Sequence, residues 1–470
     1  MTPEEFRRLG YRLIDRIADY RSHVGEYPVM SQLEPGDVRK RLPAAPPEQG
    51  HDLSKLIDEI DAILGPGLTH FQHPRFFGYF PANAELSSVL GDLLSSGLGQ
   101  LGINWQASPA LTEVEEHMTD WMRQLIGLPE SFQGVIQDTA STSNLLALIC
   151  ARERVTAHGQ EGGGLQVEEV PLTVYTSEQS HSSIEKAALL AGFGRDNVRS
   201  IATDEAYALR VEALEQAIED DLAAGRKPCA LVATVGTTAT TALDPVGEMA
   251  RLAERFGLWL HVDGALAGSA MILPECRWMW RGIERVDSLV LNPHKWLGAV
   301  FDCSLFYVGD APHLVRVMST DPSYLKTSVD AEAKNYRDWG IPLGRRFRAL
   351  KLWFLLYSEG AEGLRARLRR DIANAQWLKE QVDAAPGWER LTPVPLQTVC
   401  VRHVLPGLTS EELDAHTLDW AHRINASGEA YLTPAKLDGR WMVRVSIGSL
   451  LTEREDVAAL WELMKKVVSS

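Results

Sequence analysis

The stretch SLVLNPHKWLG (Ser288–Gly298) decides how the rest of the chain is read. SLVL is a short run of aliphatic residues, the pattern of a strand buried on both faces. Lys295 therefore falls just beyond the C-terminal end of a strand, the edge where open α/β sheets bind ligands. A surface lysine usually has polar neighbours, but this one stands between His294 and Trp296. Desolvation and nearby groups lower a lysine pKa and free the neutral amine for Schiff-base chemistry. An ordinary strand-end lysine packed beside aromatics explains this segment equally well.

Outward from that stretch, residues 77 to 355 alternate between short apolar runs and longer helical patterns. The strand candidates are VPLTVYTSE, VRSIATD, CALVATVG, LWLHVDG, SLVLNPHK and SLFYVG. The helix candidates are residues 111–127, 143–159, 211–225 and 246–257, several of them stopped by glycine. Strands alternating with helices predict an α/β domain with a mainly parallel sheet. GQEGGG (159–164) reads as a flexible loop. Residues 1–76 hold two helical patterns, 2–24 and 53–64, joined by a proline-rich connector. They are too small for a core of their own, so they are expected to form an arm that packs on something else, such as a second subunit. Residues 356–470 read as a small C-terminal α+β domain, with LQTVCVRHV and WMVRVSIGS as strands and REDVAALWELMKKVV as a closing helix.

Four further segments end strands or open helices at the same expected edge. HVDGALAG (His261–Gly268) is a buried-strand pattern ending in one carboxylate, Asp263, with small residues after it. Asp263 and Lys295 stand one βαβ step apart. That pair suits pyridoxal 5′-phosphate (PLP), whose pyridine nitrogen needs a carboxylate to stay protonated and act as an electron sink. A lone strand-end aspartate is more often a cap for the next helix. QDTASTSN (Gln137–Asn144) puts small hydroxyl residues at a helix start, where free N–H groups and the helix dipole suit a phosphate; a simple N-cap is the plainer explanation. SEQSHSSIEKA (Ser177–Ala187) places His181 between a strand and a helix, where it could stack on an aromatic cofactor, move a proton, or merely be solvated. ATVGTTATTALDP (Ala233–Pro245) adds a strand and a hydroxyl-rich loop.

Composition limits the rest. The 470 residues are 45% apolar and 23% charged, ordinary globular usage, with a formal net charge of −16. An acidic chain is a poor general binder of nucleic acid or anionic membrane. The five cysteines, Cys150, Cys229, Cys276, Cys303 and Cys400, are scattered and form no CxxC pair. That fits a reducing compartment, so the cytoplasm is the expected address. The N-terminus lacks the apolar region of a signal peptide, and no run of about 18 apolar residues suggests a membrane span.

Taken in order, HPRFFGYFPANAE, INWQASPALTEVE, QDTASTSN, SEQSHSSIEKA, GTTATTALDPV, HVDGALAG, NPHKWLG and IPLGRRFRALKLW resemble the group II PLP-dependent decarboxylases of fold type I. The similarity is to the aromatic-L-amino-acid decarboxylase branch and runs through nearly the whole chain. It implies Lys295 as the Schiff-base lysine, Asp263 at the pyridine nitrogen, Ala265 against the ring and His181 on its other face. It implies Thr139, Ala140 and Ser141, with Asn292 and His294, around the phosphate, and Thr234 near the cofactor. Tyr324, in DPSYLK, matches the tyrosine of the family's mobile catalytic loop. Tyr79, Phe80, Pro81 and Trp105 fall where the family builds its substrate pocket, partly from the neighbouring subunit of a homodimer with an interleaved N-terminal arm. Two departures touch the substrate side: the family's HVDAAYAG is here HVDGALAG, so a tyrosine is replaced by Leu266, and PANAE replaces a small-hydroxyl pattern. Relatives with glycine at the position of Gly344 tend to accept indolic side chains, and those with serine phenolic ones.

The resemblance implies decarboxylation of an aromatic L-amino acid to its arylalkylamine, with Tyr324, assisted by His181, returning a proton to Cα. Relatives with phenylalanine in place of this tyrosine give an aldehyde instead, so aldehyde synthesis is the alternative, as is a non-aromatic substrate. An aminotransferase or a desulfurase keeps the fold, but a desulfurase needs a mobile cysteine and Cys303 lies in an expected strand. A non-catalytic binding protein would be expected to lack the lysine, the aspartate or the tyrosine. His70 and His73 are read as a loop pair, not metal ligands.

Overall fold

The structure, a computed structural model, describes residues 1–320 and 332–469. Its larger sheet has seven strands: β1 (Gln133–Gln137), β2 (Leu172–Ser177), β3 (Val198–Ile201), β4 (Lys227–Thr234), β5 (Trp259–Asp263), β6 (Ser288–Leu291) and β7 (Ser304–Val308). Their order is β1-β7-β6-β5-β4-β2-β3. The run from β3 to β6 is parallel, and β7 pairs antiparallel with both β6 and β1. Every residue of β2, β5 and β6 is buried, as a sheet covered on both faces requires. Side chains such as Val135, Leu146, Val174, Val232 and Phe306 join in one apolar core. All six strands expected from the alternating pattern are present; β1 was not anticipated.

The helices start and stop for local reasons. α1 (Pro3–His23) opens with a Thr2–Glu5 capping box and Pro3 in its first turn. α2 (Leu53–Leu64) is capped by Asp52. α3 (Leu86–Leu98) is a further helix that the pattern did not announce. α4 (Pro109–Ile126) ends where Gly127 takes φ 76°, a left-handed conformation open to glycine at little cost. α5 (Ala140–Thr156) begins directly after β1, with Thr139 in extended conformation at its N-cap. GQEGGG, expected to be a loop, begins within a helical turn at His158–Glu161.

The chain divides into two units: residues 82–372 with 392–398, and residues 1–81 with 373–391 and 399–470. These limits differ from those expected at 76 and 355. The helix Ala349–Ala384 runs through the second expected boundary, turning only at Gly360 (φ 61°). The N-terminal segment packs on its own chain's C-terminal part: Phe77 N donates to Tyr431 O at 2.9 Å, Ser446 N to Phe77 O at 2.9 Å, and Val29 N to Gly428 O at 2.9 Å. That part contains a four-stranded sheet, β8 (Trp388–Arg390), β9 (Thr398–His403), β10 (Thr433–Leu437) and β11 (Arg440–Ser446), in the order β10-β11-β9-β8. Among the described residues no helix is long and apolar enough to cross a membrane.

Candidate active site

Four candidate side chains come from the C-terminal ends of neighbouring parallel strands. Asp263 ends β5, Thr234 ends β4 directly opposite it, and Lys295 follows β6. His181 follows β2 and caps the helix Ser182–Leu190. Asp263 is buried; its Oδ1 accepts from Ala265 N at 3.0 Å and its Oδ2 from Asn144 Nδ2 at 3.1 Å. Asn292 N donates to Ala265 O at 3.1 Å, which ties the β6 exit to the β5 exit.

Lys295 sits half-buried in the single turn Pro293–Leu297, where its own dihedrals (φ −97°, ψ −107°) leave the helical range. The turn is fastened from behind. Trp296 Nε1 donates to the buried Asp371 Oδ2 at 2.8 Å, and an Arg367 N–H donates to Leu297 O at 2.5 Å. Burial pushes the Asp371 carboxyl up to about 6, with the Trp296 bond opposing the rise. His294 accepts at Nδ1 from Cys303 N at 2.9 Å. Its pKa is pushed down to about 3, first by burial and then by Lys295, so it is neutral with its proton on Nε2.

His181 joins the group electrically. Desolvation lowers its pKa, Asp263 opposes the fall and Lys295 adds to it, so His181 feels both groups. Its residue surface is nevertheless exposed, which leaves ring area for a flat partner. Its Nδ1 lies 2.7 Å from Ser183 Oγ.

This donor set fits PLP. A carboxylate, an amine and an exposed imidazole face converge at one edge. The N-terminus of α5 carries no side-chain cap, so its first N–H groups stay available for a phosphate. Thr139 is half-buried there, Ala140 is buried and Ser141 exposed. Asn292 Oδ1 is buried without a hydrogen-bond partner, an unsatisfied amide oxygen.

The family model for the pyridoxal-dependent decarboxylase conserved domain matches residues 35–404. The chain belongs to the pyridoxal-dependent decarboxylase family. As such it is a carboxy-lyase whose cofactor is PLP. This decarboxylase is 39% identical to a phenylacetaldehyde synthase of Arabidopsis thaliana, covering 100% of this chain and 97% of the relative. It is 40% identical to an aromatic-L-amino-acid decarboxylase of Catharanthus roseus, covering 99% and 94%. Its structure resembles that of Oryza sativa TDC with PLP and tryptamine at a TM-score of 0.95 and 36% identity, covering 100% of this chain and 98% of that one.

The substrate-side candidates of the decarboxylase are divided between the two units. In the unit with the N-terminal segment, Tyr79 has φ 50° and its hydroxyl accepts from Tyr431 at 3.1 Å. Phe80 lies 5.0 Å beneath the Arg444 guanidinium, and Pro81 is buried. In the other unit, Trp105 N donates to Asn335 Oδ1 at 3.0 Å, and its indole N–H to Glu113 at 2.8 Å. Gly344 is exposed and borders the Gly102–Arg345 backbone bridge, so the segments of Trp105 and Gly344 are joined. Leu266 is buried at 1% exposure. Tyr324 lies outside the described residues. Cys303 is buried and its thiol is pushed up to about 12 by burial, so it offers no nucleophile for desulfuration. His70 and His73 are buried and bonded to Tyr20 and Gly25, and among the described residues no cluster suits a metal ion.

Asn144, Ser183 and His261 lie within QDTASTSN, SEQSHSSIEKA and HVDGALAG, but nothing local marks their supporting role, and Asp371 and Arg367 lie outside the quoted segments. Asn144 with His261 and Ser183, and Trp296 with Asp371, are distant in the chain, and only the fold brings them together.

Proposed function

We propose that this chain decarboxylates an aromatic L-amino acid, releasing CO2 and the arylalkylamine, with PLP anchored covalently on Lys295. The carrying observation is the convergence of Lys295, Asp263 and His181 at one sheet edge, where His181 feels both charges. The names of the relatives, an aromatic-L-amino-acid decarboxylase and a phenylacetaldehyde synthase, support the aromatic substrate.

PLP supplies a sink for the electron pair left when the Cα–carboxylate bond breaks. Asp263, held by two N–H donors, offers its charge to the pyridine nitrogen and favours a proton there. His181 would cover one ring face and Ala265 the other. The first turn of α5, at Thr139, Ala140 and Ser141, would hold the phosphate with Asn292 and His294, and Thr234 would border the same edge. The clamp by Asp371 and Arg367 presents the Lys295 amine from one fixed turn. Tyr79, Phe80, Pro81, Trp105, Leu266 and Gly344 are assigned to the substrate side by resemblance. Tyr324 is the proton donor to Cα, with His181 assisting, and a tyrosine there favours amine over aldehyde.

A homodimer belongs to the same proposal. Apolar side chains exposed on each unit support it: Phe6, Leu13 and Ile17 on α1, and Leu90, Leu94 and Tyr357 in the other unit. A cytoplasmic address belongs to the same proposal and is supported by the buried free thiols of Cys150, Cys229, Cys276 and Cys303. The deciding experiment is CO2 release from aromatic, acidic and basic amino acids with added PLP. Release from tryptophan, phenylalanine or tyrosine is expected; release only from glutamate or diaminobutyrate contradicts the aromatic assignment.

A further inference from the structure

We infer that Asn144 is a positioning residue that aims the Asp263 carboxylate, and that a one-way chain of donors from Trp259 through Ser288 and His261 fixes its orientation. The inference rests on the PLP site proposed above and adds a second layer to it.

Asn144 lies in the second turn of α5 and is fully buried. Its Oδ1 is 2.9 Å from His261 Nε2. Its Nδ2 is 3.1 Å from Asp263 Oδ2 and 3.0 Å from Ser183 Oγ. A carboxylate only accepts, so the amide must turn its NH2 toward Asp263 and its oxygen toward His261. An amide oxygen also only accepts, so His261 carries its proton on Nε2. His261 Nδ1 is then an acceptor, and the Ser288 hydroxyl, 2.9 Å away, donates to it. The same Ser288 oxygen accepts from Trp259 Nε1 at 2.9 Å, which leaves its hydroxyl hydrogen for the imidazole. Every donor thus points from the indole toward Asp263.

The state of His261 agrees with this chain. The residue is fully enclosed, and burial pushes its pKa down to about 4, so it stays a neutral imidazole with one N–H. The second amide hydrogen of Asn144 goes to Ser183 Oγ, which leaves the Ser183 hydroxyl hydrogen for His181 Nδ1, 2.7 Å away. One amide therefore touches the carboxylate directly and reaches the candidate stacking imidazole through one serine. Turning the amide over would set its oxygen against the Asp263 carboxylate and its NH2 against the N–H of His261. Both contacts would become repulsive in a buried site, where a low local dielectric strengthens them. Without the amide, Asp263 would keep, among the described residues, only the Ala265 N–H as a donor.

The test uses the cofactor-loaded protein and four measurements. Long-range 1H–15N correlation on histidine-labelled wild type, assigned with His261→Gln, reads the tautomer of His261; the Nε2–H form is expected, and an Nδ1–H form overturns the inference. Asn144→Asp keeps the size but removes both donors, and its PLP dissociation constant should rise about tenfold or more, the value of one hydrogen bond to a charged group. His261→Phe should weaken PLP through Asn144 alone, whereas His261→Gln, which can still donate to Asn144 Oδ1, should restore near wild-type affinity. The pH profile of the visible absorption of bound PLP should shift in Asn144→Asp and His261→Phe but not in His261→Gln, which a merely structural role would not produce. Should Asn144→Asp fail to fold, Asn144→Ser, which retains a single donor, takes its place with the same expected direction. PLP affinity within about twofold of wild type in both donor-removing variants overturns the inference. Failure of wild type to bind PLP at all would instead overturn the proposed function, so the two failures are distinguishable.

Discussion

Replacing Gly344 by serine perturbs the substrate side at a point where the structure sets the magnitude. A Cβ at this position would lie 3.0 Å from Leu101 Cδ1 and 3.9 Å from its Cγ, with nothing else within 4 Å. The closer contact requires the Leu101 side chain to retreat by a few tenths of an ångström. Leu101 is 54% exposed, so it can turn into solvent, and the stability cost should stay below about 1 kcal/mol. The variant should therefore fold with the same melting temperature as the parent. If Gly344 borders the substrate ring, the added CH2OH takes space from the bulkier side chain. One methylene in an apolar pocket is worth about 1–3 kcal/mol, or roughly 10- to 200-fold in kcat/KM. Initial rates of CO2 release should therefore show kcat/KM for tryptophan, relative to tyrosine, falling at least about tenfold. A ratio unchanged within about twofold, in a protein that melts normally, would refute a substrate contact at Gly344.

Other expectations follow from named groups. The buried Glu115–Arg345 pair, 2.5 Å and 3.0 Å between its atoms, locks the segment beside Gly344 to α4 and β1, so Glu115→Gln should strand the guanidinium and cost about 3–5 kcal/mol, read as a lower urea midpoint; an unchanged midpoint would contradict it. His294 is lowered from 6.5 to about 3, so the folded state binds fewer protons than the unfolded state between those values. Stability is then fully present above the unfolded value and falls as pH drops through that window, and His294→Gln should flatten the dependence. An identical slope of urea midpoint against pH in that variant would show that His294 does not contribute. Tyr324→Phe should divert product from amine toward aldehyde and hydrogen peroxide, measured by mass spectrometry and a peroxidase assay; undiminished amine yield would remove Tyr324 from the role of proton donor.

The parallel strands were legible because burial on both faces leaves continuous apolar runs, such as CALVA in β4 and LVL in β6. β1 was not, because QGVIQ has polar ends and a glycine. It becomes a strand only by pairing with β7 across the sheet. α3 was missed for a related reason: LSSVLGDLLSSGL mixes serine and glycine, weak helix formers, with leucines that remain exposed on the single chain. At the site, Lys295 and Asp263 were recognisable because each ends a strand and stands out against apolar neighbours. Asn144 sat inside a segment already singled out for its helix start, but its partners Ser183, His261 and Asp263 are far away in the chain. The limits of the two units were hidden because the helix Ala349–Ala384 carries a continuous pattern across the expected boundary.

The most direct measurement is the fate of the cofactor on Lys295. Wild-type protein loaded with PLP, reduced with borohydride and digested, should yield a phosphopyridoxyl-modified peptide at Lys295 and lose its visible absorption in the process. Lys295→Ala should show neither the visible band after dialysis nor any modified peptide. A retained visible band in that variant, or modification mapped to another lysine in the wild type, would contradict the assignment of Lys295 as the residue that carries PLP.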